Sequence, residues 1–239
     1  MRFSIPLLAI VIALTGCKHT DECCTTDAGM SAHPKAGTDT EWMTLFNGKD
    51  LSGWRTYGKQ TPPGAGWKVE DGILKKVPKQ RTGDIVTEQK FNDYEFSWEW
   101  LVQPKANSGV KYLVTEERKD SPGIEYQMID DKGYGQPLAP KHLTATFYDV
   151  LPRTVDTSVK PANEWNSSRI IVKGNHVEHW LNGVKVLEFE FGSPEVKAAL
   201  AKSKFKDAPG FGEKISGHIM LTDHGDEAWF KNLKIRELK

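Results

Sequence analysis

Beyond residue 41, apolar and polar side chains alternate along much of the chain with a period of two. In residues 94–101 the aromatic side chains share one phase, and mainly polar side chains fill the other. Two further segments, 109–114 and 124–129, repeat the pattern, with apolar phases formed by Val110, Tyr112 and Val114 and by Ile124, Tyr126 and Met128. Such alternation predicts half-buried antiparallel strands.

Turn signals separate these strands. Asn182-Gly183 and Asp71-Gly72 supply the positive φ angles of tight hairpin turns. We therefore predict a hairpin around residue 71 and a three-stranded meander over 168–173, 176–181 and 184–191. A last pair of strands is predicted at 217–222 and 228–237.

One helix interrupts the strands. Ser193 is a favourable N-cap, Pro194 suits the first helical position, and Glu195 places a carboxylate in the first turn. These residues predict a helix over about 194–203. Ten or more strands with one short helix predict an all-β fold, a β-sandwich of two antiparallel sheets.

The N-terminal region has a different character. Met1-Arg2 precedes an apolar run over 5–14, and Leu14-Thr15-Gly16-Cys17 resembles a bacterial lipobox. We expect a lipoprotein signal peptide over 1–16, lipidation at Cys17, a flexible tether over 17–40 and a folded domain over 41–239. The protein would then be exported and held at the bacterial envelope through its lipid anchor only.

Composition excludes several classes of function. The chain has 32 basic and 32 acidic residues, so bulk charge gives no basis for nucleic-acid binding. All three cysteines precede residue 25, which excludes a disulfide framework or a cysteine-based zinc site in the body. No glycine pattern typical of a nucleotide cofactor is present. These residues do not decide whether a divalent metal takes part.

The polar phases of the middle strands offer candidate chemistry. Glu99, Lys111, Glu125 and Gln127 could share one face of a sheet, either as a site or as a solvated face with cross-strand ion pairs. Polar residues at strand ends, Asn107-Ser108-Gly109 and Asp130-Asp131, could line the rim of such a site or form turns.

Histidines and tryptophans extend the candidates. His142 precedes a strand, His224 lies between two carboxylates, and His179 shares its phase with apolar residues, as a core histidine would. Trp54 belongs to a group of early aromatic residues that could stack on sugar rings or pack in the core.

Several motifs resemble one known family. They are LFNGKDLSGW (45–54), GWKVEDGIL (66–74), NSGVKYL (107–113), GIEYQMIDD (123–131), NEWNSSRIIVKGNHVEHWLNGVKV (163–186) and GHIMLTDHGDEAWFKNLKIREL (217–238). In this order they resemble the 3-keto-disaccharide hydrolase family, and the resemblance covers nearly all of 42–238. It implies a concanavalin-like jelly-roll sandwich, often found as an exported lipoprotein.

The resemblance also implies a reaction. The substrate is a small carbohydrate, a glycoside that a partner sugar oxidoreductase has oxidised to a ketone at C3. A base removes the acidified C2 proton, the C1 substituent leaves, and water can add to the product. This chemistry needs a base, an electrophile and an acid rather than the paired carboxylates of an ordinary glycosidase.

The resemblance maps these roles onto residues of this chain. We expect catalytic residues among Glu125, His142, His179, His224 and Lys111, and substrate-binding residues among Gln127, Glu99, Tyr148, Asn107 and Trp54. Ala145 stands where the family usually has glycine, and Thr222 where many members have glutamine. The competing hypothesis is a lectin-like surface module without catalysis, which the same fold would support.

Overall fold

Thirteen strands and one helix build the domain in the computed structural model, which describes residues 41–118, 120–157 and 159–239. The strands are β1 (Met43–Thr44), β2 (Trp54–Thr56), β3 (Trp67–Glu70), β4 (Ile73–Lys76), β5 (Ile85–Thr87), β6 (Tyr94–Val102), β7 (Asn107–Val114), β8 (Ile124–Ile129), β9 (Asn166–Lys173), β10 (His176–Leu181), β11 (Val184–Glu190), β12 (His218–Leu221) and β13 (Ala228–Glu237). A 3-10 turn covers Pro140–His142, and helix α1 covers Pro194–Leu200.

The strands form two antiparallel sheets that pack as a jelly-roll β-sandwich. The larger sheet has the order β11-β10-β9-β6-β13-β4-β3, with β1 paired to β13. The smaller sheet has the order β2-β5-β12-β7-β8. The predicted fold class is therefore confirmed. The predicted last strands, β12 and β13, lie in different sheets, so they do not pair with each other.

The apolar phases of both sheets meet in one core. Phe96, Trp98 and Trp100 of β6 are at most 1% exposed, and Tyr126 of β8 packs edge-on to Trp98 at 4.9 Å. The hairpin predicted around residue 71 and the meander β9–β11 are confirmed, with Asn182 at φ 49° and Gly183 at φ 85° in the turn.

Strand β7 departs from strict alternation near its end. Leu113 has φ 50°, and the register between β7 and β12 shifts at this point. Tyr112 and Leu113 consequently both face the core, while Val114 joins Val86 and Met220 in a separate cluster. The prediction that Val114 shares the phase of Val110 was wrong, because a bulge inserts one residue and reverses the faces beyond it.

Helix α1 begins as predicted and ends earlier. The Ser193 hydroxyl accepts a hydrogen bond from the Val196 N–H at 3.2 Å, as an N-cap does. Beyond Leu200 the backbone tightens to bonds three residues apart, such as Ser203 N–H to Leu200 O. No helix among the described residues is long and apolar enough to cross a membrane. The predicted signal peptide, Cys17 and the tether lie outside the described residues.

Candidate active site

The smaller sheet presents one row of side chains away from the core. Its strand register aligns five positions across the sheet, namely Arg55, Val86, Met220, Lys111 and Glu125. Their chain neighbours Ile85, Leu221, Val110 and Tyr126 form the adjacent row in the core. Lys111 and Glu125 are therefore cross-strand partners on the outer face, as the strand phases predict.

Gly109 makes room for the Glu125 carboxylate. A Cβ placed on Gly109 would lie 2.3 Å from Glu125 Oε1, closer than any contact allows. The Glu125 side chain thus lies across the backbone of β7 at this glycine. The Gly109 carbonyl is fixed in turn by the Thr222 hydroxyl, which donates to it at 3.2 Å. The glycine of the NSG motif is therefore required for the geometry of the site.

Glu125 and His224 form the central pair. His224 Nε2 lies 3.4 Å from Glu125 Oε1. Glu125 is 7% exposed, whereas the His224 side chain is 37% exposed. Burial opposes ionisation of Glu125, but the hydrogen bond with His224 and the charges of Lys111 and Lys204 outweigh it and lower the pKa of the carboxyl. Glu125 is thus an ionised acceptor beside an accessible imidazole.

The loop between β12 and β13 holds His224 in place through its two aspartates. Asp223 forms a buried ion pair with Lys76, with Oδ1 and Nζ 3.0 Å apart, and accepts the N–H groups of Thr82 and Gly83. Asp226 accepts the Asn107 N–H at 2.9 Å, which ties the loop to the start of β7. The carboxylates on either side of His224 are therefore structural anchors, and the histidine between them faces Glu125.

A segment along the free edge of β8 supplies the opposite side of the site. The N–H groups of Ala145 and Tyr148 donate to the carbonyls of Gln127 and Glu125. Ala145 has φ 67°, a conformation that glycine adopts more easily, which gives a physical reason for the glycine usual in the family. This edge pairing brings Tyr148 to the Glu125 side of the sheet.

Asp149 gathers a network around Tyr148. Its carboxylate accepts from Lys141 Nζ and His142 Nε2, both at 2.8 Å, and from the Lys204 N–H at 2.6 Å. Burial opposes its ionisation, yet these donors lower the pKa of Asp149 to about 2. The Tyr148 ring lies 5.0 Å from the His142 ring and 4.3 Å from the Lys204 ammonium.

Burial, with the charges of Glu125 and Asp149, raises the pKa of the Tyr148 hydroxyl. Burial also lowers the pKa of Lys204, although Glu125 and Asp149 counteract it. Tyr148 consequently stays protonated at neutral pH and can donate a hydrogen bond or a proton.

A cleft of about 320 Å³ opens beside the Glu125 carboxylate. Lys111, Glu125, Lys204 and Phe205 line it together with residues 120–123. Farther along the same face, the buried Asn107 Oδ1 has no hydrogen-bond partner among the described residues, and the buried Gln127 lies two residues from Glu125 on β8. A carboxylate, two ammonium groups, an imidazole and two amides therefore converge on one polar surface, which suits a polyhydroxylated ligand.

Three predicted site residues, Trp54, Glu99 and His179, lie away from the cleft. Trp54 is 2% exposed, belongs to the core and donates its indole N–H to Leu45 O at 2.7 Å, so its ring is not available for stacking on a sugar. Glu99 lies on β6 in the larger sheet, where Asn232 and Lys231 pair with it. The alternation of side chains within a strand does not reveal which sheet that strand joins.

His179 is a core histidine. It is fully buried, with Nδ1 3.0 Å from Ala145 O and Nε2 2.8 Å from the Tyr112 hydroxyl. The carbonyl requires a proton on Nδ1, so Nε2 accepts from Tyr112. Burial lowers the pKa of His179 to about 4, which keeps the ring neutral. It supports the segment around Ala145 rather than facing the cleft.

Sequence reasoning missed Asp149 and Lys204 as contributors, and it considered Gly109 only as part of a possible rim of the site. Gly109 carried a signal, because glycine inside a strand marks a close approach of another group. Lys204 carried none, since it follows the predicted helix in an ordinary polar stretch. Lys204 contributes to the site only because the segment after helix α1 folds back toward β8.

One group of potential metal ligands occurs among the described residues, and it lies outside the cleft. His176, Glu178 and Glu188 converge on the larger sheet, with ligand atoms within 4.8 Å of one another. The Lys185 ammonium already contacts Glu178 and Glu188. Its charge balances these carboxylates in the way that a cation would.

Comparison with known proteins agrees with this architecture. Residues 41–236 match the 3-keto-alpha-glucoside-1,2-lyase-like domain family, and the chain belongs to this family. A 3-keto-disaccharide hydrolase from Bacteroides thetaiotaomicron is 32% identical over 229 residues, which cover 82% of this chain and 78% of that protein.

Two crystal structures from Parabacteroides distasonis, both of candidate glycosyl hydrolases, have the same fold. One is 34% identical with a TM-score of 0.76, and the match covers 83% of this chain and 94% of the other. The second is 28% identical with a TM-score of 0.67, covering 83% and 100%.

Proposed function

We propose that the protein is an exported enzyme that cleaves the glycosidic bond of 3-keto-glycosides and 3-keto-disaccharides. Its family and the similar 3-keto-disaccharide hydrolase support the substrate class. The observation that carries the proposal is the Glu125–His224 pair, beside an open cleft that Glu125, Lys111 and Lys204 line.

His224 is the proposed base. Because Nε2 faces an ionised carboxylate, it carries the proton, and Nδ1 is the basic nitrogen. No described residue bonds Nδ1, so it is free to take the C2 proton of a sugar in the cleft. Glu125 fixes the tautomer and stabilises the imidazolium that forms, as a carboxylate does beside a catalytic histidine.

The remaining groups complete the elimination. As C2 loses its proton, the electron pair moves toward the C3 carbonyl and gives an enolate, which the ammonium groups of Lys111 and Lys204 stabilise. The enolate then re-forms the ketone, creates a C1–C2 double bond and expels the C1 oxygen. The Tyr148 hydroxyl, whose pKa is raised, protonates that leaving oxygen.

Water can add across the new double bond, so that elimination followed by hydration equals hydrolysis. The substrate must come from an oxidoreductase that oxidises C3 of the sugar. The competing hypothesis of a lectin-like module loses support, because Trp54 is in the core and the exposed face carries titratable groups instead.

A direct test compares 4-nitrophenyl 3-keto-glucosides of both anomers with their unoxidised parents. We expect nitrophenol release only from oxidised substrates, because the enolate needs the C3 oxygen. With substrate deuterated at C2, the chemical step should show a primary isotope effect. Equal cleavage of oxidised and unoxidised glycosides would contradict the proposed reaction.

Two variants assign the residues. His224→Gln should lower kcat by about 10²–10⁴-fold, the usual contribution of a general base. Glu125→Gln should also greatly reduce turnover, while its free energy of unfolding stays within about 1–2 kcal/mol of wild type. His176→Gln, on the larger sheet, is the matched control and should keep full activity. If Glu125→Gln retained normal turnover, Glu125 would have no place in the site.

A further inference from the structure

A second cavity, of about 340 Å³, lies beyond the end of β8. Leu143 lines it, whereas the preceding residue, His142, packs on Tyr148 at the cleft side. The second cavity and the cleft share no lining residue, so they are separate spaces. The Asp130-Asp131 pair, which we considered as a site rim, borders this second space rather than the cleft.

Arg153 enters the second cavity with an unused donor. Its side chain is 9% exposed, and Nη2 lies 3.5 Å from Asp131 Oδ2 and 3.6 Å from Asp156 Oδ1. Its Nη1 is buried and has no hydrogen-bond partner among the described residues. Nη1 is sealed off from solvent and cannot reach a ligand. Both carboxylate contacts of Nη2 are longer than an ordinary hydrogen bond, so Nη2 is the donor available to an acceptor in the cavity.

Asp131 places an acceptor beside that donor. Its side chain is 11% exposed, and Oδ1 accepts the Thr144 N–H at 2.8 Å. Oδ2 faces Arg153 over a long contact and keeps lone pairs for another donor. By contrast, both Asp130 oxygens already accept backbone N–H groups, from Gly133 and Lys105. The usable polar groups are thus one donor and one acceptor side by side.

The charges around the cavity cancel. The lining contains three acidic residues (Asp130, Asp131, Asp156) and three basic residues (Lys132, Arg153, Lys160). Such a lining has no net attraction for an ion. Leu143, Val159 and Pro161 add apolar surface. A neutral molecule with both hydroxyl groups and C–H faces fits these properties.

We propose that this cavity is a second saccharide-binding site, for a neutral pyranose. Of two adjacent hydroxyls, one donates to Asp131 Oδ2 and the other accepts from Arg153 Nη2, while ring C–H groups contact Val159 and Pro161. The volume is near the lower end of small-molecule sites, about 300–1,000 Å³, and so suits one or two rings. This inference does not depend on the reaction at Glu125.

The test titrates isotope-labelled domain with methyl α-glucoside and follows backbone amide resonances. This sugar lacks the ketone, so binding is measured without the proposed elimination. We expect shifts at residues 130–132 and 153–161. Arg153→Lys keeps the charge but removes the planar donor pair, and it should weaken binding by about tenfold or more. Arg169→Lys, on the larger sheet, is the matched control and should bind as wild type does.

Two further measurements keep the test decisive. Asp131→Asn should also weaken binding, whereas Glu70→Gln, at exposed ion pairs of the larger sheet, should not. Each variant is first checked for an unchanged thermal unfolding midpoint. The proposal is overturned by absence of glucoside binding, by unaltered affinity in folded Arg153→Lys, or by preference for methyl glucuronide, which would indicate an anion site. None of these outcomes bears on cleavage of keto-glycosides.

Discussion

At the scale of single residues, Gly109 and Glu125 show how a backbone position sets the chemistry above it. The carboxylate occupies the space where any other residue would place its Cβ. Its ionisation then depends on His224, Lys111 and Lys204, which come from three different parts of the chain. A change at the glycine therefore acts on Glu125 without removing it.

Gly109→Ala tests this relation. The new methyl group would displace the Glu125 carboxylate from His224, and a misplacement of about 1 Å can cost about 10²-fold in rate. We expect turnover of a 3-keto-glucoside to fall by that order, with a circular dichroism spectrum like that of wild type. Normal turnover would show that the position of Glu125 is not critical.

The pH dependence of the free energy of unfolding tests the network that Asp149 forms around Tyr148. Its folded-state pKa of about 2 lies below the ordinary 3.8, so it stabilises the fold above pH 3.8, and this contribution is lost as the pH falls toward 2. Asp149 has φ 63°, which asparagine also tolerates, so Asp149→Asn leaves the backbone unstrained.

We expect Asp149→Asn to lower the free energy of unfolding by up to about 2 kcal/mol at pH 7, and by roughly half of that at pH 3. Urea denaturation of both proteins from pH 7 to pH 3 measures the difference. A difference that stayed constant across this range would contradict the assigned pKa.

At the scale of elements, the loop between β12 and β13 shows why the histidine faces the carboxylate. Lys76 and Asp223, each with a side chain only 1% exposed, fix the loop to β4, and Asp226 fixes it to β7. The loop is thus anchored to both sheets of the sandwich. These contacts, together with the Arg81 guanidinium that donates to the His224 carbonyl at 2.8 Å, hold His224 in position.

Asp223→Asn should therefore affect stability and activity together. Removing one charge of a buried pair leaves Lys76 uncompensated and costs about 3–5 kcal/mol. The matched control is Glu70→Gln, which breaks exposed ion pairs with Lys68 and Lys75 and should cost far less, because solvent screens such pairs. Chemical denaturation compares the two variants. Equal small losses would mean that the buried pair does not hold the loop.

At the scale of the whole molecule, the two faces of the sandwich differ in character. The smaller sheet carries the cleft, whereas the larger sheet is covered by ion pairs and by cations over tryptophan rings, such as Arg169 over Trp180 at 4.0 Å. We propose that a lipid on Cys17 attaches this domain to the envelope through residues 17–40.

Cys17→Ala should release the protein from the membrane fraction of the producing bacterium, because the acyl chains can no longer be attached. Cys23→Ala changes a cysteine of the tether outside the lipobox-like motif and should stay membrane-bound. Fractionation followed by immunodetection measures both. A Cys17→Ala protein that stayed fully in the membrane fraction would contradict the anchor.

Local sequence patterns were enough to predict strands β6–β13, the hairpin around residue 71, the helix cap and the family, but not the short strands β1, β2 and β5. These features depend on neighbouring residues: alternation encodes the buried face, Asn182-Gly183 encodes a turn, and Ser193 satisfies the first N–H groups of a helix. The alternation also predicted that Lys111 and Glu125 share one face of the sheet, because every second side chain of a strand points to the same face.

The sharing of a sheet by particular strands, and the meeting of loops above it, follow from the tertiary structure and not from local patterns. Glu99 and Glu125 have similar local patterns, yet they lie in different sheets. His224 meets Glu125 across 99 positions of sequence, and His179 is in the core because the segment of Ala145 covers it. Such contacts depend on pairing between distant segments, which local periodicity does not encode, and a single bulge at Leu113 is enough to reverse a predicted face.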